Sequence, residues 1–144
     1  MNEVRDSWFW RMHRGEVPPP PVALLLGQRF VRVDPDRGEL EAEFDAQPSF
    51  ANPAGHVQGG MLVAMLDALT ASLVDASLAA GERVATLNLN VSFLKAAQIG
   101  ALQGRAQLVR KGRNVAHARA ELSQGTDVVA NATAVCMVVP SAKG

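Results

Sequence analysis

A long apolar stretch of this chain carries a carboxylate in its middle, and no other feature constrains the fold so strongly. The stretch opens on Gln58-Gly59-Gly60 and runs Met61-Leu62-Val63-Ala64-Met65-Leu66-Asp67-Ala68-Leu69-Thr70-Ala71. Its length and composition predict one helix from about Gly59 to Ala80, stopped by Gly81. A helix that is hydrophobic all round is normally buried, and burying an unpaired carboxylate is costly. The helical neighbours of Asp67 at three and four residues are Val63, Ala64, Thr70 and Ala71, so no cation lies within reach along the helix. Either Asp67 is a structural group on a wet stripe, or something outside the helix compensates or uses it.

The remaining pattern is mostly strand. Arg29 to Asp34 and Gly38 to Asp45 flank Pro35-Asp36-Arg37-Gly38, a turn sequence that predicts a hairpin. Within it Leu40-Glu41-Ala42-Glu43-Phe44 alternates apolar and acidic, a strand with one wet face. Four alternating segments follow the helix: Val84 to Leu94, Leu102 to Arg110, Asn114 to Ser123 and Val128 to Val139. Two strands, one long helix and four strands predict an α+β domain, a helix laid on one face of an antiparallel meander. Ahead of this, Glu3 to Gly15 reads as a short helix with Trp8, Phe9 and Met12 on one side. Pro18-Pro19-Pro20-Pro21 stops it, and Val22 to Leu26 forms a turn or two capped by Gly27. The expected organisation is a lead-in over 1–21, one domain over 22–140 and a tail over 141–144.

Composition narrows the classes of function. The 144 residues are 48% hydrophobic, enough for one domain with a real core. Fourteen basic and fourteen acidic residues balance, so no global charge draws the chain to nucleic acid or a membrane surface. Asp67 and Asp75 would each cost about 2.5–3.5 kcal/mol near mid-bilayer, against a membrane-spanning helix. No signal peptide is visible before Trp8-Phe9-Trp10, and the expected setting is cytoplasmic. Cys136 is the single cysteine; it offers neither an internal disulfide nor a metal ligand set and reads as a small buried hydrophobe.

The start of the helix carries its own chemistry. Two glycines there let another molecule approach the backbone closely. The free amides of Gly59 and Gly60 stand at the positive end of the helix dipole, a place for growing negative charge. Gly59 and Asp67 are eight residues apart, ~12 Å along a helix axis, whereas catalytic contacts need roughly 3 Å. If both serve one site, two antiparallel copies of the helix must bring them together. That predicts a two-fold homodimer with composite sites, Asp67 coming from one protomer and Gln58 and Gly59 from the other.

The run Asn52-x-x-Gly55-x-x-Gln58-Gly59-Gly60 with Asp67 following resembles the hotdog-fold acyl-CoA thioesterases of the phenylacetate-degradation type. So do the strand Thr86 to Leu94 and the turn Arg110-Lys111-Gly112-Arg113. The resemblance implies a long helix wrapped by a curved sheet, protomers joined edge to edge, dimers pairing into tetramers, an acyl-CoA substrate and no metal or cofactor. It implies that Asp67 is general base or nucleophile, that the Gly59 amide polarises the carbonyl and that Thr86 orients water. Asn52 and Gly60 are then substrate contacts. Gln58 stands where the family places a histidine; it can still donate a hydrogen bond but cannot shuttle a proton.

Arg110, Lys111 and Arg113 are either partners for the nucleotide phosphates or ordinary solvated turn charge, and Lys95 is a weaker candidate of the same kind. His56 reads as a loop histidine, His117 as a strand residue facing solvent or an interface, and His13 lacks a visible partner. Two other readings compete with hydrolysis. A module that binds acyl-CoA without cleaving it is favoured by Gln58 and opposed by Asp67. A dehydratase or hydratase would need a histidine beside the acid, and His56 is badly placed for that.

Overall fold

The computed structural model of the chain describes residues 5–140. The first residues of the expected N-terminal helix and the tail over 141–144 lie outside that range. The elements run α1 (Trp8–His13), α2 (Pro21–Leu25), β1 (Arg29–Asp34), β2 (Glu39–Ala46), a 3-10 turn (Pro48–Phe50), α3 (Gly59–Ala76), β3 (Glu82–Phe93), β4 (Gly100–Lys111), β5 (Val115–Gln124) and β6 (Asp127–Pro140). All six strands form one antiparallel sheet in the order β1-β2-β4-β5-β6-β3. It is the hotdog arrangement, α+β with one long helix on the sheet.

Two faces of α3 explain why it lies where it does. Leu62, Met65, Leu66, Leu69 and Leu73 are buried at helical spacing. They meet the inward residues of the sheet, among them Leu40, Phe44, Leu102, Leu122 and Ala132. β2 alternates as its sequence predicts, with Leu40, Ala42, Phe44 and Ala46 buried and the acids between them outside. The approach of helix to sheet is close at Gly104 on β4. A Cβ there would stand 2.7 Å from one Leu69 methyl and 3.0 Å from the Phe44 ring. The second face of α3, with Val63, Ala64, Asp67, Ala68 and Ala71, is only half-buried. The helix has the length and apolarity of a membrane span, but in this fold its leucines are covered by the sheet.

The helix is shorter than the expected Gly59 to Ala80. It stops at Ala76 because Leu78 must enter a small second core beside Val74, Ala116 and Cys136. The exposed carbonyls find other donors, Lys111 Nζ to Ser77 O at 2.6 Å and Ser77 Oγ to Val74 O at 2.7 Å. Gly81, with φ +81°, turns the chain into β3 rather than capping the helix. Gly27 does cap α2: its φ is +61°, and Asp45 Cβ would lie 2.8 Å from a side chain there.

The lead-in packs on the domain. Phe9 is buried in the main core, and Trp10 Nε1 donates to Ala76 O at 2.8 Å. Trp8 is exposed, so Phe9 and Met12 form the inward face without it. The first turn of α1 also meets Asp75, the one buried carboxylate among the described residues, which is 8% exposed. Burial pushes its carboxyl above the usual range, opposed by the Ser7 hydroxyl and the Phe9 N–H beside it. Its Oδ1 and the Ser7 Oγ make no well-formed hydrogen bond.

These contacts have consequences for stability. Gly104→Ala is expected to destabilise the fold by about 1–3 kcal/mol through overpacking against Leu69, measurable as a lower urea midpoint. An acid whose folded pKa is raised favours the folded state while protonated and loses that advantage as pH rises above its unfolded value. Asp75→Asn should therefore raise the melting temperature at pH 8, with the gain shrinking toward pH 4; thermal scans across that range check it.

Candidate active site

The two ends of a possible site come from one helix. At its start, Gln58 is the N-cap residue, and its backbone is committed on both sides. Its N–H donates to Phe50 O at 2.8 Å, and its carbonyl accepts from Met61 N–H at 2.9 Å. The Gln58 side chain makes no capping bond and is exposed. The Gly59 and Gly60 amides donate to no other described residue, which leaves them directed out of the helix end. A Cβ at Gly59 would stand 3.3 Å from the exposed Phe93 ring, which would have to give way by a few tenths of an ångström. Gly60 has open space around it.

The loop before the helix is shaped by Asn52. Its Oδ1 accepts from the N–H groups of Ala54 and His56, both at 3.0 Å, and its own N–H donates to His56 O at 2.7 Å. That closes a local turn of the kind asparagine favours. Beside this loop lies a cavity of about 380 Å³, lined by Asn52, His56, Gly59, Leu62, Phe93 and Lys95 among others. Lys95 on its rim is paired with Asp127 at 2.7 Å. A larger concavity of about 650 Å³ lies on the outer face of the sheet, where Arg32 pairs with Glu39 and Arg105 with Glu41. It is remote from the helix start and holds no candidate residue, so the smaller cavity is the one that bears on chemistry.

Two turns along α3, Asp67 meets β3. Thr86 Oγ1 donates to Asp67 Oδ1 at 2.8 Å, so the acid without a partner in its helix has one in the sheet of its own chain. The strand is built for this contact. The register between β3 and β6 slips between Thr86, opposite Cys136, and Asn88, opposite Val135. The extra residue of this bulge is Leu87, which is 55% exposed. Bulges re-aim side chains, and here one changes the facing of the strand at Thr86. Behind Thr86 sits Cys136, fully buried. Burial pushes its thiol up; the adjacent Thr86 hydroxyl opposes this, and the Asp67 charge adds to it.

Asp67 and Gly59 stay ~12 Å apart along the helix. One chain therefore brings together Asp67 with Thr86, and separately Gly59 with Asn52 and His56, but not the two groups. The basic turn is further still. Lys111 is bound to the C-terminal end of α3, ~27 Å from Gly59 by helical rise, and Arg110 and Arg113 are exposed beside it. Lys111 thus has a structural partner that its sequence does not disclose. His117 faces outward from β5, and His13 stacks on Phe9 with ring centroids 5.9 Å apart. Sequence reasoning missed two neighbours: Cys136 behind Thr86, and Ser7 against Asp75. Both depend on long-range packing, for which no local signal exists.

A curved antiparallel sheet around one glycine-led helix, with an acid two turns in, defines a thioesterase-type hotdog domain. Comparison with known proteins agrees. Residues 47–137 match the family model described as acyl-CoA thioesterase N-terminal domain. A phenylacetic acid degradation-related protein of Ralstonia eutropha JMP134 is 55% identical, with 90% of this chain and 98% of that chain covered and a TM-score of 0.89. Two more distant structures share the fold. The PaaI protein of the phenylacetic acid degradation operon of E. coli is 18% identical, with 92% and 94% covered and a TM-score of 0.81. A Streptococcus mutans UA159 protein, solved bound to acetyl CoA, is 20% identical, with 81% and 91% covered and a TM-score of 0.71. No protein of curated function matches the chain. The chain belongs to the hotdog-fold acyl-CoA thioesterases of the phenylacetate-degradation type.

The basic turn can be divided by stability. Lys111→Ala should lower unfolding stability by roughly 0.5–1 kcal/mol, because a cation is lost from a helix C-terminus. Arg113→Ala should leave stability within experimental error in the same denaturation series.

Proposed function

We propose that the protein hydrolyses an acyl-CoA thioester at composite sites between two copies, with Asp67 as the base. The observation that carries this reading is the Thr86–Asp67 hydrogen bond facing an unpaired sheet edge. Thr86 holds one carboxylate oxygen and leaves the other for the proton of an attacking water. The Gly59 amide of the partner subunit, ~12 Å away in the same chain but adjacent across an antiparallel helix pair, receives the carbonyl oxygen. Water oxygen bonds to the carbonyl carbon, its proton passes to Asp67, and the carbon–sulfur bond breaks to release coenzyme A thiolate. Attack by Asp67 itself, through an anhydride that water then opens, uses the same contacts.

The same pairing gives the basic turn a role. With Gly59 opposite the partner's Asp67, the C-terminal end of the partner's helix runs on past the site by ten residues, ~15 Å. The partner's Arg110 and the partner's Arg113 then stand about where an extended pantetheine arm delivers the nucleotide phosphates, to which arginine bonds bidentately. Asn52 and Gly60 border the thioester. A binding module remains the competing reading, and its support is the uncommitted Gln58 side chain.

Thiol release from a panel of acyl-CoAs tests both. Asp67→Asn is expected to lower kcat by roughly 10²–10⁴-fold, the range for a general base. Release that Asp67→Asn leaves unchanged overturns the assignment, and a wild type that binds acyl-CoA without releasing thiol points to the binding module. The composite arrangement has its own test. Gly59→Pro removes the amide at a helix position that accepts proline, although the Phe93 ring must yield slightly. Each variant alone should be inactive, whereas dimers formed from Asp67→Asn and Gly59→Pro chains together should regain activity.

A further inference from the structure

The cavity beside Gly59 has two walls, and one of them has no ladder of its own. The first wall is the loop from Asn52 into the start of α3. The second is formed by Lys95, Ala96 and Ala97, within the segment Leu94 to Ile99 that joins β3 to β4 and belongs to no strand. The walls meet through a backbone hydrogen bond, Val57 N–H to Ala97 O at 2.9 Å, between two buried residues. A segment outside the sheet must find partners for its backbone elsewhere, and here the β5–β6 hairpin supplies them. Val129 O accepts from Leu94 N–H at 2.9 Å and from Lys95 N–H at 3.2 Å. Further along, Gln124 at the end of β5 takes over. Its Oε1 accepts from Gln98 N–H at 2.8 Å, and its Nε2 donates to Gln98 O at 2.7 Å and to Ala101 O at 3.1 Å.

These contacts use both Nε2 protons and the oxygen, so the amide has one orientation only; reversed, its oxygen would face two carbonyls. Gln98 receives from one side chain the pair of bonds that a residue on a neighbouring antiparallel strand would give it. The other side-chain anchor of the wall, Lys95 on Asp127, is an exposed ion pair of a kind that contributes little. We infer that Gln124 is a positioning residue for the substrate cavity: by fixing the Gln98 backbone it holds Ala97 against Val57 and so sets the separation of the two walls. The start of α3 does not depend on it, because Gln58 N–H is bonded to Phe50 O and Met61 N–H to Gln58 O. Loosening Gln98 therefore frees the wall and leaves the Gly59 amide in place. A wall meets substrate and transition state alike, and its loss appears in KM and not in kcat. That the cavity takes an acyl-CoA rests on the function proposed above; the clamp itself does not.

Two variants test the clamp. Gln124→Leu keeps the bulk and removes every bond, whereas Gln124→Glu keeps the acceptor and sets a carboxylate oxygen against two carbonyls. Hydrogen–deuterium exchange reads the contact without reference to activity. In Gln124→Leu the Val57 and Gln98 amides should exchange about tenfold faster, the worth of a neutral hydrogen bond or two, while the α3 amides from Leu66 to Leu73 keep their wild-type rates. An unchanged Val57 rate overturns the inference, and so does an equal acceleration throughout α3, which is general destabilisation. In the kinetic arm, Gln124→Leu should raise KM for acyl-CoA about tenfold on the same grounds with kcat little changed, and Gln124→Glu should raise it at least as much. A loss confined to kcat overturns the positioning role. Should the wild type release no thiol from any acyl-CoA, the proposed hydrolysis falls while the exchange arm still decides the clamp.

Discussion

The packing of α3 against the sheet is the interaction on which the rest of the molecule depends. Leu62, Met65, Leu66, Leu69 and Leu73 are buried almost completely, and each such side chain contributes about 1.5–3 kcal/mol on burial. No polar contact in the site approaches that sum. The rotation of the helix about its axis is therefore set by the leucines, and Asp67 is carried wherever that rotation takes it. Gly104 adds a second constraint, since the missing side chain lets Leu69 settle against the backbone of β4. With depth and rotation fixed, Asp67 emerges level with Thr86 on β3.

The same packing leaves one side of the protomer unfinished. β3 is an edge strand of twelve residues, and Leu87, Phe93 and Leu94 at or just beyond it are each more than half exposed. A long edge of this kind invites another strand. Beside it runs the half-buried stripe of α3 with Val63, Ala64, Asp67 and Ala71. The groups assigned to chemistry lie on this open side, not in the closed core. On the proposed dimer, apolar exposure and the distance between Gly59 and Asp67 are two signs of one missing neighbour.

Features encoded by adjacent residues were legible in the sequence. The β1–β2 hairpin follows from Pro35-Asp36-Arg37-Gly38, with Gly38 at φ +66° and Asp34 Oδ1 accepting from Arg37 N–H at 3.1 Å. The α2 cap at Gly27 and the start of α3 at Gly59 are local in the same sense. The end of α3 was not legible, because Leu78 leaves the helix for a core assembled from β5 and β6. Nor was the choice of buried acid. Asp67 and Asp75 are eight residues apart, which rotates them by about 80° around the axis. That angle decides that Asp75 turns under α1 while Asp67 faces the sheet edge, and it depends on where the leucines dock. The partnership of Thr86 with Cys136 needs strand register across fifty residues and the position of a bulge, neither of which composition or periodicity encodes.

Gln58 bears on what such a site can cleave. Its backbone is locked by Phe50 and Met61, so the residue must stay at the helix start, and only its side chain is open to chemistry. An amide there can donate a hydrogen bond to a carbonyl or sulfur but cannot deliver a proton. A leaving group must then depart as its anion. For a thiol, with pKa near 8.5, that is a small penalty at neutral pH. An alcohol or amine leaving group is far more basic and needs a general acid, a role the Gln58 amide cannot fill. With Asp67 occupied as base and Gln58 unable to give a proton, the proposed mechanism is matched to thioesters. The selectivity would come from leaving-group acidity, not from a pocket that recognises sulfur.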